Sequence, residues 1–330
     1  MFKKQTSVYR RILKKSWQIT WQNKFLWLFG FLAALIGNVS IYEILIKGFL
    51  KISEVGQTSQ HDVWMGIMLS WNEIQDYAAS NPLIIFLFSF LLLGCFILMG
   101  FAIWLAITSR GALIGCVFKI NKKEKINLKE GWVLGKKFFW QILGFNVLAR
   151  CFIVALLFLI TIPALLILGE SGGPLWQNLL LYFVSFVIFT ALALIISLMA
   201  IYASSFVVIK NYKFFDAVRE SWKLFIKNWL TSLEMTLILF LISLGAGIAF
   251  IFFSILIAIP FVLFLVSFYY LNLQFAFLIT FLLVLLAWLC LLILMGSALV
   301  AFQFSSWTLL FVELTKRKTL SKLFRFIGIK

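Results

Sequence analysis

The sequence predicts an all-α fold, a polytopic bundle of about six transmembrane helices arranged as three repeats of an interfacial amphipathic helix plus a transmembrane hairpin. Of the 330 residues, 63% are hydrophobic and only 12% are charged, whereas a soluble domain carries roughly 25% charged residues. Several apolar stretches reach the roughly 20 residues that cross a hydrocarbon layer of about 30 Å as a helix. A soluble core cannot account for this composition, so the bilayer is the solvent.

Six apolar stretches, each bounded by charge clusters or turn residues, are the expected spans. Glu234 is the single charged residue between Lys227 and Glu313, and that stretch is long enough for four short spans instead of two long ones. We expect two long helices there, because the earlier repeats have two spans each. The six spans cover residues 25–46, 82–108, 138–168, 175–208, 229–266 and 273–312.

The basic residues predict the orientation of the chain. Seven Lys and Arg precede the first span, eight lie in 109–137, five in 209–228 and six after residue 312. The positive-inside rule places all four segments on the cytoplasmic side, with both termini inside and residues 317–330 as a basic cytoplasmic tail. The net charge of +17 therefore indicates anionic lipid head groups at the cytoplasmic face as partners, and not nucleic acid. We expect an integral protein of the cytoplasmic membrane of a bacterium, with an uncleaved first span.

A basic amphipathic helix opens each predicted repeat. In the first and third copies, aromatic residues form one stripe and cations the opposite face, so both helices should lie along the cytoplasmic interface. The middle copy, around Trp132, lacks the Asn that the other two share. We expect Trp17, Trp132 and Trp222 to anchor these helices at the head groups. The shared Ser-Trp-x5-Asn motif occurs at Ser16, Trp17 and Asn23 and again at Ser221, Trp222 and Asn228.

Two further correspondences support the repeat. The Ile-Leu-Met-Gly run at 97–100 precedes Ser109 by the same offset that the run at 293–296 precedes Ser305. The Ile-Pro pairs ending at Pro163 and Pro260 are followed at equal distance by a Gln. The predicted units are 7–118, 126–210 and 213–316, within a single integral membrane domain of residues 1–330.

Through the Ser-Trp-x5-Asn helix entries and the Ser109-Arg110-Gly111-Ala112-Leu113 segment, the chain resembles the membrane domain associated with glycerophosphoryl diester phosphodiesterases and related multi-pass bacterial membrane proteins. In that family, catalysis belongs to a separate soluble barrel. The resemblance therefore implies a membrane module and transfers no catalytic residue.

Three polar residues within the spans are the candidate functional positions. Arg150 and Glu234 are ionisable groups at membrane depth, where a charge is costly and faces a partner or a wet cavity. Asn146 lies one turn before Arg150 on the same helix face. A structural ion pair between Arg150 and Glu234, or a shallow interfacial position for either, is the alternative to a transport role.

The sequence predicts a non-enzymatic membrane module that organises lipids or partner proteins. The alternative is a transporter or channel for a small or lipid-like solute, with Arg150, Glu234 and Asn146 lining the passage. A membrane-embedded lipid enzyme is a third hypothesis, but it needs convergent carboxylates or histidines that the spans do not supply. We expect no catalytic residues, cofactor or metal, since there is no CxxC and no His at ligand spacing near the four cysteines, Cys95, Cys116, Cys151 and Cys290.

Overall fold

The computed structural model describes residues 8–34, 82–170, 175–271 and 273–316. Over these ranges the chain is almost entirely helical and contains no strand, which confirms the all-α class. The predicted tail at 317–330 and the outer part of the first span lie outside the described residues. The helices are α1 (Val8–Gln22), α2 (Phe25–Ala34), α3 (Pro82–Asn121), α4 (Leu128–Lys137), α5 (Phe139–Glu170), α6 (Leu175–Lys210), α7 (Phe214–Lys227), α8 (Trp229–Tyr270) and α9 (Gln274–Lys316).

Five of the described helices, α3, α5, α6, α8 and α9, are long and apolar enough to cross a membrane. The shorter α2 is also apolar and corresponds to the start of the predicted first span. The stretch after Lys227 forms two long helices of 42 and 43 residues, as expected, and not four short ones. At a rise of 1.5 Å per residue each exceeds roughly 60 Å, so both extend well beyond a single crossing.

One helix end differs from the sequence expectation. The second span was expected to end at residue 108, before the basic segment, but α3 continues to Asn121. The reason is that Arg110 does not leave the protein: its side chain is only 7% exposed, and the apolar residues after it, including Leu113 and Val117, are buried. The first cation after an apolar run therefore lies inside the packed helices instead of marking the interface.

The three short amphipathic helices, α1, α4 and α7, each lead into an apolar helix, α2, α5 or α8, after a break of one or two residues. Their buried faces include several small or hydroxyl residues, and much of the aromatic stripe lies outside the packed helices. In α1, Tyr9 and Ser16 are buried, whereas Trp17 and Trp21 of the same stripe are about half exposed. In α7, Ala217 and Ser221 form the buried seam. Small residues allow close helix approach, which leaves the large aromatic rings outside.

The described residues pack as two compact units. One unit contains residues 8–34, 105–152, 195–271 and 273–316, and the other contains 82–104, 153–170 and 175–194. In the second unit, large apolar side chains such as Phe86, Phe96 and Phe158 are more than half exposed. Exposed apolar surface of this extent on long helices is typical of lipid contact.

In the first unit, apolar helices of different predicted repeats come together in three pairs: α2 with α9, α3 with α5, and α6 with α8. In addition, α8 packs against α9 within the third predicted repeat. Each of the three pairs joins the first apolar helix of one predicted repeat to the second apolar helix of the preceding repeat. The third repeat counts here as the one that precedes the first. The pairs therefore follow one cyclic order. The close contacts are Gly30 with Ser297 and Ala301, Gly111 with Ile142, and Tyr202 with Ser232.

The short helices follow the same cyclic order, because each contacts the first long helix of the preceding predicted repeat. In α4, the ring of Trp132 stacks on Phe29 of α2 at a centroid distance of 6.1 Å. In α7, Phe214 stacks on Phe145 of α5 at 4.5 Å. In α1, Tyr9 interacts with Glu234 of α8.

The helices α2, α5 and α8 each bury one face. The spacing of three and then four residues between buried positions is that of a single helix face. The three buried sets are Leu26, Phe29 and Ala33 in α2, Ile142, Phe145 and Ala149 in α5, and Ser232, Met235 and Leu239 in α8.

Candidate functional site

The most distinctive polar contact in the first unit joins α3 to α5. The guanidinium Nη1 of Arg110 donates a hydrogen bond to Oδ1 of Asn146 over 2.6 Å. Asn146 in turn donates from Nδ2 to the backbone carbonyl of Ile142 over 2.8 Å. This second bond orients the amide so that its oxygen faces the arginine. A hydrogen bond to a charged donor is stronger than a neutral one, particularly away from water.

Glycines allow the helices around Arg110 to approach closely. A Cβ added to Gly111, the next residue of α3, would lie 2.8 Å from Cδ1 of Ile142. A Cβ on Gly135 of α4 would collide with the carbonyl oxygen of Thr108. Gly111-x3-Gly115 and Gly131-x3-Gly135 therefore lie at real helix contacts, although the sequence alone gives little reason to distinguish them from chance spacing.

A second arginine adjoins this contact. Arg150 follows Asn146 by one turn of α5, is exposed, and lies close enough to Arg110 to repel its charge. We call Arg110, Asn146 and Arg150 together the arginine site. It combines two of the three predicted functional positions, Asn146 and Arg150 of α5, with Arg110 of α3. The chemistry available there is that of cationic hydrogen-bond donors, which bind carboxylates and phosphates.

The third predicted position, Glu234, lies in a different environment. Its side chain interacts with the phenol of Tyr9 in α1, which also faces Thr231. Burial is the main cause that raises the pKa of Tyr9 above its ordinary value, and the neighbouring Glu234 carboxylate adds to it. Nearby, the hydroxyls of Tyr202 and Ser232 are 2.7 Å apart. An ion pair between Glu234 and Arg150 stays a prediction.

The three expected anchors have different surroundings. Trp17 and Trp222 are 55% and 46% exposed, as an interfacial anchor requires. Trp17 also stacks on Trp21 at 5.2 Å between ring centroids. Trp132 is less exposed, because its ring stacks on Phe29.

The beginning and the end of the described chain are held together. Arg11 of α1 forms an ion pair with Glu313 of α9 at 2.6 Å. Further along the same helices, the hydroxyl of Thr20 donates to Oγ of Ser305 over 3.3 Å. The first helix therefore packs along the last turns of α9, which brings both ends of the described chain to one end of the first unit.

Comparisons of the chain with family models, with curated proteins and with solved structures found no match. The assignment of the site therefore depends on its geometry.

Sequence reasoning missed Arg110 and Tyr9 as site residues. The available signal for Arg110 was the apolar run on both sides of it, residues 97–109 and 111–118, because a lone cation within such a run is placed inside a helix. The signal for Tyr9 was weaker: it shares a register with Phe214 relative to the Ser-Trp-x5-Asn motif, but nothing local indicates its partner in α8.

Proposed function

We propose that the chain is a non-enzymatic membrane module of six spans, built from three copies of an amphipathic helix plus a hairpin, that organises anionic lipids at the cytoplasmic face. The observation that carries the proposal is the outward face of the short helices. On α1, the exposed residues include Arg10, Lys14 and Lys15 beside the exposed Trp17 and Trp21. Cations beside interfacial aromatic rings are the composition that binds anionic head groups.

The same composition recurs on the other two short helices. Lys129, Lys136 and Lys137 of α4 are exposed, as are Arg219 and Lys227 of α7. The cyclic order of the helix pairs supports the three-copy architecture. The resemblance to membrane domains associated with glycerophosphoryl diester phosphodiesterases agrees with a lipid-facing role without catalysis.

The lipid proposal is tested in nanodiscs of mixed zwitterionic and anionic phospholipid. We expect anionic lipid to be enriched around the protein relative to the bulk mixture, and a variant carrying Arg10→Gln, Lys14→Gln and Lys15→Gln to lose part of that enrichment, at about 1 kcal/mol per cation. Lys223→Gln is the matched control, because Lys223 is already paired with Glu220 at 2.6 Å. Equal lipid composition around both proteins and in the bulk would contradict the proposal.

The orientation is tested separately by cysteine labelling from either side of the membrane. We expect cysteines introduced at Ser59 and Ser171 to react from outside and those at Lys123 and Lys318 to react from the cytoplasm. The Arg11–Glu313 ion pair supports placing both ends of the chain on one side. A reversed pattern would refute the topology.

A transporter or channel is the second candidate. The observation that favours it is the burial of Arg110, because intramembrane cations often mark solute pathways. The test is solute flux into proteoliposomes. A flux that the Arg110→Gln substitution abolishes, in a variant that still folds, would support transport over the organising role.

A further inference from the structure

The chain reverses direction in the short turn between α3 and α4, residues 122–127. Before the turn, α3 ends at Asn121. After the turn, α4 packs back against α3, since a Cβ added to Gly131 would lie 2.6 Å from Sγ of Cys116. The turn therefore closes a packed pair of helices at one end of the first unit.

Backbone hydrogen bonds give this turn a defined conformation. The N–H of Lys123 donates to the carbonyl of Ile120 over 2.9 Å, and the N–H of Glu124 donates to the carbonyl of Lys119 over 3.1 Å. Lys123 has a left-handed φ of 67°, which is common just after the end of a helix. The side chain of Ile126 is buried and anchors the second half of the turn. A ligand of this turn therefore meets side chains on an ordered backbone, which lowers the entropy lost on binding.

The α3–α4 turn presents cations to solvent. Lys122, Lys123 and Lys125 are exposed, with one acidic residue, Glu124, among them. Nζ of Lys122 lies 4.5 Å from the ring centre of Phe118, which holds that charge at the end of α3. Residues 122–127 include no aromatic residue. The turn thus lacks the tryptophan side chains that accompany the cations of α1 and anchor a segment at the head groups.

A second basic turn lies beside the first. A Cβ added to Gly115 of α3 would lie 3.5 Å from Cγ1 of Val208 in α6, so the last turns of these two helices are neighbours. The chain leaves α6 at Lys210 and enters α7 after Lys213. Both of these lysines are exposed. We name the five exposed lysines of the two neighbouring turns the lysine turns: Lys122, Lys123, Lys125, Lys210 and Lys213.

The α3–α4 turn extends beyond the level of the lipid head groups. Lys122 is 11 residues past Gly111, or roughly 16 Å along a helix near the membrane normal. Gly111 lies against Ile142 of α5, and Trp140, two residues before Ile142, is 79% exposed, as a side chain at the membrane interface is. The polar layer of a bilayer is only roughly 5–8 Å thick on each side. The lysines of this turn therefore face water, which favours a soluble partner over a lipid.

We propose that the lysine turns bind an acidic segment of a soluble cytoplasmic protein. This interaction is additional to the organisation of lipids and rests on the proposed orientation of the chain. Lysines are separate point charges on flexible stems and lack the fork with which arginine holds a single phosphate. Lysines distributed over two turns therefore suit an extended series of carboxylates. Nucleic acid is a less suitable polyanion, because the α3–α4 turn offers no aromatic ring on which a base can stack.

The proposal is tested with the full chain in nanodiscs of zwitterionic phospholipid and a fluorescent oligoglutamate peptide, whose binding is followed by anisotropy. We expect the peptide to bind at an ionic strength of about 0.1 M and to dissociate as added salt screens the exposed charges. A variant with Lys123→Glu and Lys125→Glu should bind about tenfold more weakly, since two attractive charges become repulsive.

The matched control carries Lys24→Glu and Lys223→Glu. It makes the same change in net charge at two exposed lysines of the first unit that lie outside the lysine turns. At the same ionic strength the control should bind the peptide within about twofold of the wild type, because distant exposed charges are largely screened.

Failure of the wild type to bind the peptide would overturn the proposal, and so would an equal loss of binding in the turn variant and the control. Stronger binding of an oligonucleotide of equal charge, lost in the turn variant, would assign the surface to nucleic acid instead. If the turn variant does not fold, Lys125→Gln alone decides: wild-type affinity overturns the proposal and weaker binding supports it.

This proposal and the proposed function fail in different ways. If the turn lysines contact lipid, their reversal lowers the enrichment of anionic lipid in mixed nanodiscs, which overturns the protein partner and leaves the organising role intact. If the organising role is wrong, mixed nanodiscs show no enrichment while the peptide still binds. If the orientation is wrong, a cysteine introduced at Lys123 reacts from outside.

Discussion

Asn23 and Asn228 make the same hydrogen bond at corresponding places in the chain. Nδ2 of Asn23 donates to the carbonyl of Ile19 over 2.9 Å, and Nδ2 of Asn228 donates to the carbonyl of Leu224 over 3.1 Å. In both cases the acceptor lies in the last turn of a short amphipathic helix, and the same carbonyl also accepts the backbone N–H of the Asn. The Asn of the Ser-Trp-x5-Asn motif therefore closes the short helix at the point where the chain enters the long one.

Replacement of Asn228 by Ala should destabilise the protein by about 0.5–1.5 kcal/mol, since the side-chain hydrogen bond to the Leu224 carbonyl is lost at a buried junction, while the backbone N–H of residue 228 continues to donate to that carbonyl. Asn228 is 7% exposed and Asn23 is more exposed, so Asn23→Ala should have the smaller effect. The measurement is denaturant-induced unfolding in mixed micelles. The two junctions involve separate bonds, so the double variant should be additive; equal and negligible effects would show that the motif has another role.

Gly135→Ala should destabilise the protein by about 1–3 kcal/mol through overpacking, because the added Cβ would collide with the backbone of Thr108. Gly245→Ala in α8 is the matched control, since its Cβ would meet no atom within 4 Å. That change should be neutral or stabilising by up to about 1 kcal/mol. Thermal unfolding in detergent compares the two. A Gly135→Ala protein as stable as the control would contradict the close approach of α3 and α4.

Asn146→Ala should cost about 1.5–3 kcal/mol, because Arg110 loses the acceptor that is 2.6 Å from Nη1. Asn146→Asp keeps an acceptor oxygen and adds a charge opposite to that of Arg110, so it should retain much more of the stability. The comparison of the two variants by unfolding separates the loss of the hydrogen bond from the loss of side-chain volume. Equal destabilisation in both would indicate that the amide donor, and not its oxygen, is the important group.

The raised pKa of Tyr9 predicts a loss of stability in alkali. In the unfolded chain a phenol ionises near pH 10, but in the folded protein burial and Glu234 keep Tyr9 protonated to higher pH. Its contribution is complete below pH 10 and is lost progressively as the pH rises above that value. We expect Tyr9→Phe to unfold at a temperature that falls less between pH 9 and pH 11 than that of the wild type. The unfolding temperature of Glu234→Gln should fall by an intermediate amount over the same pH range. Parallel curves of unfolding temperature against pH for all three proteins would refute Tyr9 as the origin of the alkaline instability.

The Arg150–Glu234 interaction is tested by a double-mutant cycle with Arg150→Gln and Glu234→Gln. If the two groups pair, the double variant is more stable than the sum of the single effects predicts, because no unpaired charge remains. Strictly additive effects would show that the two side chains do not pair. Glu234 would then interact with Tyr9, and Arg150 would belong only to the arginine site. Unfolding in mixed micelles provides the free energies.

The sequence by itself determined the membrane class, the helical content and the order of short amphipathic and long apolar helices. These depend on local quantities: the length of an uncharged run, the spacing of cations around a helix, and the residues at its ends. The comparison with the earlier predicted repeats, which have two spans each, indicated two long helices after Lys227. The sequence did not predict the end of α3, because the burial of Arg110 depends on the hydrogen-bond acceptor that Asn146 of α5 provides.

Only the tertiary structure decided which polar groups meet. Arg11 and Glu313 are separated by 302 positions in the sequence, and Arg110 finds Asn146 on a helix that belongs to the next predicted repeat. Such contacts depend on how distant helices are ordered around one another, which is set by small residues at their seams and not by hydrophobicity. A charge within an apolar run indicates that the charged group needs a partner. The packing of the other helices determines which group that partner is.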